Sequence, residues 1–340
     1  MDLWQGTQDG DAAQEELAAS GMTDGLPVVP PTRARVERML AQCGFDADET
    51  VATLPPLFVA ATWRDIAVNA VMAGCRPEYL PVVGAAIEAL AAPEFNLIGI
   101  ATTTGCAAPL VIVNGPIAGR IGMNAQNNAL GPGNRANATI GRAVSLALRN
   151  IGGAVPGEVD MATLGQPAKY TCCIAENEAA SPWEPLHVER GFDAGASVVT
   201  VVGIAGTVEV IDSVSSSGAG LAQTFAHSML IAGSVGSGGI LGGGEPLIVL
   251  PPEHATAFHR DGYSKQKTKA AIFERAVLPF EKLAPAVRVH LAPLRTEAPL
   301  RVAEKADDVM LVVAGGVGAK AIYAPTWSGT TRAVSRAIRA

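Results

Sequence analysis

Three hydroxyls, a glycine and a thiol stand together at Thr102-Thr103-Thr104-Gly105-Cys106, directly after the apolar run Leu97 to Ile100. A second apolar run, Leu110 to Val113, stops at Asn114-Gly115-Pro116. The polar loop that follows carries Asn124, Gln126, Asn127, Asn128 and Asn134, and opens into a helix through Gly131-Pro132-Gly133-Asn134. Amides and hydroxyls this dense around strand ends are costly to bury without partners. A bound small polar molecule would supply those partners. Thr102, Thr103, Thr104, Asn114, Asn124, Asn128 and Asn134 are therefore the expected substrate-binding set.

Arg135, Arg142 and Arg149 recur every seven residues on one face of that helix. Arg142 and Arg149 read as a solvated stripe, the usual fate of surface arginines. Arg135 is different, because a cation in the first turn opposes the helix dipole by about 0.3–1 kcal/mol. A bound anion would reverse that cost, so Arg135 joins the set. Two further glycine-bearing turns, Ser215-Ser216-Ser217-Gly218 and Gly315-Gly316-Val317-Gly318, are expected to present amide N–H groups to phosphate or carboxylate. Neither makes a P-loop or completes a dinucleotide fingerprint, so no nucleotide cofactor is implied.

The candidates for moving a proton lie in a cluster of Glu176, Glu178, Glu184, His187 and Glu189. One reading takes Glu176 or Glu178 as the base and His187 as the proton shuttle. Another is a carboxylate-rich site for a divalent metal, and a third is a solvated loop. Cys106 is either a nucleophile activated by nearby amides or a small buried hydrophobe. No HExxH motif accompanies His254 and His259, which leaves a structural zinc site without support.

The elements that must position these residues alternate between helix and strand. Helical spacing covers Arg33–Gln42, Thr62 to Ala73, Tyr79–Leu90 and the segment after Gly133, where Ile140, Val144, Leu148 and Ile151 form the buried stripe. Strands are expected at Lys169–Ala175, Val198–Val202, Thr207–Ile211, Leu247–Leu250, Val287–Leu291 and Val309–Val313, the second and third as a hairpin. Further helices are expected at Ser215–Ala232, Glu253–Phe258 and Lys265–Ala276, with a glycine-rich loop at Gly233–Gly244 and a polar tail at Trp327–Arg332 that reaches back to the site. The fold class is α/β, with mixed sheets flanked by helices and an N-terminal helical layer. Ala108-Pro109-Leu110-Val111-Ile112-Val113 is echoed by Glu245-Pro246-Leu247-Ile248-Val249-Leu250, which reads as two related lobes. On that reading the divisions are an arm at 1–22, a first lobe at 23–157 with the asparagine loop, and a second lobe at 158–340 with the Ser/Gly-rich loops.

The chain has 340 residues, 49% apolar and only 17% charged, with 37 glycines and a net charge of −7. That balance excludes disorder, a membrane span and a basic nucleic-acid surface. So little charge implies a surface partly covered by other subunits, hence a homo-oligomer. The N-terminus has no secretory signal pattern, so a cytoplasmic protein is expected, and its five cysteines read as reduced thiols.

The blocks DGLPVVPPT, AVNAVMAGCRPEYLPVV, LVIVNGP, LGPGNRANATIGRA and SPWEPLHVERGF resemble those of a bacterial family of unsettled activity, similar in gene context to the small UGSC-motif (seleno)proteins. The likeness covers about residues 23–330, but this chain has no Cys-Gly-Ser-Cys segment and corresponds to the companion half alone. The resemblance implies an enzyme subunit with a thiol- or selenol-bearing partner protein. The residues themselves point to an enzyme, a lyase or hydrolase, acting on a small polar, carboxylate-bearing substrate by acid/base chemistry. The alternative is an accessory subunit that supports the redox partner.

Overall fold

The computed structural model describes residues 3–6, 9–230, 244–294, 300–327 and 330–339. The fold is α/β. By their contacts the residues group into two compact units. One comprises Met1–Glu176, His187–Val202 and Ala333–Ala340; the other comprises Asn177–Leu186 and Gly203–Arg332.

The chain opens with a short helix, α1 (Gly10–Ala19), whose first amides are taken by the Asp9 carboxylate. Next come α2 (Arg33–Cys43), the hairpin of β1 (Thr50–Leu54) and β2 (Val59–Thr62), and α3 (Trp63–Ala73). A capping box between Thr62 and Asp65 starts α3 and a left-handed Gly74 ends it. The alanine-rich α4 (Leu80–Leu90) follows, then α5 (Leu97–Thr102), β3 (Ala108–Asn114), the short α6 (Pro116–Arg120), α7 (Arg135–Asn150) and β4 (Cys173–Ala175). After α8 (Leu186–Glu189) come β5 (Val198–Ile204), β6 (Val208–Ile211), α9 (Gly218–Met229), β7 (Leu247–Leu250), α10 (Pro252–Arg260) and α11 (Lys265–Arg275). The last elements are β8 (Val277–Leu278), α12 (Pro285–Leu291), β9 (Leu300–Arg301), β10 (Met310–Val313), β11 (Lys320–Ala324) and β12 (Val334–Ala337).

Each unit holds a four-stranded sheet, in the orders β12-β5-β3-β4 and β10-β7-β11-β6. The two have one pattern. An outer pair is parallel (β3 with β4, β7 with β10) and the opposite outer pair is antiparallel (β5 with β12, β11 with β6). β3 and β5 are buried along their whole lengths, which accounts for their unbroken apolar runs.

Four expectations fail. Leu97–Ile100 begins a helix, because Asn96 adopts a left-handed conformation and its side chain accepts the Gly99 N–H. A four-residue apolar run carries no period that separates strand from helix. Val287–Leu291 lies in α12, after a proline at the first helical position. The strand expected over Lys169–Ala175 keeps only its last three residues, behind a 3₁₀ turn at Pro167–Lys169. The segments at 198 and 207 do not form a hairpin, since β5 and β6 belong to different sheets. Gly233–Gly243, Ser328 and Gly329 lie outside the described residues.

The arginine row of α7 is a second correction. Arg142 is not solvated. Its Nε and Nη2 pair with both Asp24 oxygens at 2.8 and 2.7 Å, and Nη2 also reaches the carbonyls of Leu26 and Pro27. The side chains of Arg142 and Asp24 are only 15% and 14% exposed. Arg149 donates through Nε and Nη2 to the Gly21 carbonyl at 3.2 and 3.0 Å. Burial raises the Asp24 carboxyl, but the hydrogen bond and charge of Arg142, with the Leu26 amide, outweigh it and leave it below the usual carboxylate range. A lowered folded-state value means the stabilisation is present above the unfolded value and is lost as pH falls through the folded one. Arg142→Met is expected to lower the unfolding free energy by about 2 kcal/mol at pH 7, with the deficit shrinking below about pH 4. Urea melts of both proteins at pH 7 and pH 3.5 check this, and equal midpoints at pH 7 would count against the pairing.

Candidate functional site

A cavity of about 620 Å³ lies in the first unit between α5, the start of β3, the second half of α7 and the connection 154–170. Leu97, Ile100, Leu146 and Leu148 give it an apolar wall. Charge enters at the other side, where Lys169 Nζ meets Asp160 Oδ2 at 2.5 Å and the remaining Asp160 oxygen accepts the Ala162 N–H. Asp24 and Arg149 also line it. Asp160 is balanced by Lys169 and Asp24 by Arg142. Arg149 sits in the last turn of α7 on a neutral carbonyl, with no carboxylate in ion-pair range among the described residues. The helix end opposes its full charge with only about half a charge. Counted together with Arg142 behind the wall, Arg149 is thus the cavity's cation without an acid of its own among the described residues.

Two hydrogen bonds, one from the main chain and one from the Gln166 side chain, hold the connection 154–170 against the Thr102–Cys106 turn. The Thr163 N–H donates to the Thr104 carbonyl at 2.9 Å, and the Gln166 amide donates to the Cys106 carbonyl. Left-handed Gly157 and Gly165 let the connection reverse direction between these anchors. The hydroxyls themselves are spent locally, since Thr102 donates to the Ile98 carbonyl and Thr103 accepts the Gly105 N–H. Thr102 and Thr104 are exposed and Cys106 is half-buried.

The asparagine loop lies at the opposite end of α7. That helix has sixteen residues, so Asn134 and Arg149 are separated by roughly 22 Å at the helical rise. Its amides satisfy one another. Asn124 accepts the Gln126 N–H and donates to Asn127 O; Asn128 donates to Pro132 O; Asn134 accepts the Asn137 N–H and donates to Gly122 O. The buried Asn137 holds Asn124 on both its N–H and C=O and also reaches Ala129 O. Arg135 is engaged by main chain. Its Nε and Nη2 clasp the Gly74 carbonyl at the C-terminal end of α3, where that helix's dipole is negative.

β3 separates two more of the expected site residues. Cys106 precedes the strand and Asn114 ends it, roughly 20 Å away at the rise of an extended chain. At that far end Asn114 Nδ2 donates to Glu176 Oε2 at 2.6 Å. Asn114 is fully buried and Glu176 is 4% exposed. Parallel pairing of β3 with β4 puts both side chains at carboxyl ends of strands. His187 is also fully buried and its Nε2 meets the Ala194 carbonyl at 3.3 Å. Glu178 belongs to the second unit, in a 3₁₀ turn. Burial pushes the Cys75 and Cys172 thiols up to about 12 and also raises Cys173 well above the usual thiol value.

No protein-family model, curated protein or solved structure matches this chain. The functional reading therefore stands on the site itself.

In the second unit the Ser215–Gly220 turn is occupied by the protein's own acids. Asp212 accepts the Val214 and Ser215 N–H groups and the Thr224 hydroxyl, Asp261 accepts the Gly218 N–H, and Ser217 accepts the Gly220 N–H. Ser216 gives its carbonyl to Arg260. Burial raises Asp212, but the Thr224 hydroxyl and Ser215 amide carry it down to about 2. Gly315, left-handed, and Gly316 follow β10, and the nearby Gly318 N–H is taken by Glu253. Among the described residues, no group of three or more His, Cys, Asp or Glu side chains is arranged to hold a metal ion.

Asp160 and Lys169 were missed at the sequence level, although the length of the helix-to-strand connection marks it, since long ordered loops are usually functional. For the acid–amide pair, Asn114→Asp would set two carboxylates 2.6 Å apart in a buried place, which forces one to hold a proton. We expect a loss of about 2–4 kcal/mol at pH 7. The raised value makes the variant regain stability as pH falls, so denaturation at pH 5 narrows the gap. A variant as stable as wild type at both pH values would refute the burial of this contact.

Proposed function

We propose that the protein is an enzyme that acts on a small carboxylate-bearing molecule by acid/base chemistry, as a lyase or hydrolase, within the cavity beside the Thr102–Cys106 turn. One observation carries this reading: the cavity holds a cation with no carboxylate partner among the described residues, Arg149, and is also lined by an acid–ammonium pair, Asp160 and Lys169. A volume of about 620 Å³ falls in the range typical of small-molecule sites. Arg149 still has N–H donors beyond the two on Gly21, and a guanidinium matches a carboxylate in geometry.

In this reading Arg149 orients the substrate carboxylate. Asp160 takes a proton from the substrate or from an attacking water, and Lys169 returns one to the departing group. The 2.5 Å contact between them holds the two side chains next to one another at the cavity. Glu176 and His187 do not line the cavity, and their burial and short-range partners support roles in holding strand ends and loop.

Arg149→Gln is expected to weaken carboxylate binding about tenfold, the value of one charge-assisted contact. Asp160→Asn and Lys169→Met are expected to lower kcat by about 10²–10⁴. Calorimetry against a carboxylic-acid panel, followed by steady-state kinetics on the acids that bind, checks both. Retention of full binding and turnover by all three folded variants would remove this assignment.

A further inference from the structure

We infer that the ligand of this cavity is an amphipathic monocarboxylate, with an apolar body of about six to ten carbons, rather than a compact polar acid. The inference rests on the proposed carboxylate site and names its substrate class. Its first support is the division of the walls. Leu97, Ile100, Leu146 and Leu148 line it and are buried side chains of the core, which bring no hydrogen-bonding groups of their own. A hydroxy- or dicarboxylic acid placed there would surrender water contacts without replacement.

Charge supplies the second support. Every acid lining the cavity already has a cation, and Arg149 alone adds an unmatched one. One carboxylate neutralises that surplus, whereas a second would be desolvated with no partner. Size is the third. At about 30 Å³ for each water, a space of 620 Å³ holds roughly twenty waters, while a four-carbon diacid replaces only about four. The rim is the fourth. Leu164 and Tyr170 line the cavity while 91% and 49% exposed, and an apolar guest would cover both.

The test is calorimetric titration of the full chain with butanoate, hexanoate, octanoate and decanoate below their micelle concentrations, with succinate and octanol as controls. Affinity is expected to rise about fourfold per methylene. Arg149→Gln should lower octanoate affinity about tenfold and leave the increment per methylene unchanged. Leu164→Asp, at an exposed position that leaves the fold intact, should weaken decanoate more than butanoate. Succinate and octanol should bind far more weakly than octanoate. Affinity independent of chain length but lost in Arg149→Gln overturns the amphipathic ligand and leaves the carboxylate site standing. Octanol binding as tightly as octanoate overturns the monocarboxylate. Failure of every acid to bind removes the site and this inference together.

Discussion

The first unit depends on a main-chain hydrogen-bonding requirement that one row of guanidinium groups meets together with Gln14, Arg35 and Asn150. Residues 21–31 run past three prolines and cannot join a strand ladder, so their carbonyls need other donors. Residues seven apart on a helix return to nearly the same face. Arg142 and Arg149 use that geometry to hold Gly21, Asp24, Leu26 and Pro27, while Arg135 holds the end of α3. The same attachments set Asp24 and Arg149 into the cavity wall. Packing, capping and the site's electrostatics thus share a single stripe of α7.

That arrangement separates polar turns that serve themselves from a pocket that does not. The asparagine loop, the Ser215–Gly220 turn and the Asn114–Glu176 contact all use internal partners. Density of amides and hydroxyls in sequence is a measure of hydrogen-bonding demand, and folding met most of that demand locally. In the cavity, Arg149 has a carbonyl and no carboxylate as its partner among the described residues.

The sequence made the α/β class legible through α7's spacing of apolar residues and the buried runs of β3, β5 and β7. The capping residues Asn134, Ser217 and Ser264 were readable for the same reason, since each precedes a helix whose early amides it accepts. Arg142 was misread because its partner is 118 positions away, and no local pattern reports such a distance. The Leu97–Ile100 run was misread because a left-handed Asn96, invisible in the one-letter string, sets its conformation. The Thr102–Cys106 turn, singled out from its residues, flanks the cavity between the lining Ala101 and Ala107, whereas the acid–ammonium pair that lines it was not singled out. Its two members lie in a loop whose meaning comes from what surrounds it.

One consequence follows from the order in which the strands appear. β5 takes its outer neighbour from β12, which pairs Val334 with Val201 and Ala337 with Val198 near the very end of the chain. During synthesis all four strands of the other sheet, β6, β7, β10 and β11, must emerge before that partner does. A growing polypeptide therefore carries an unzipped valine-rich margin, the kind of surface that recruits stray strands.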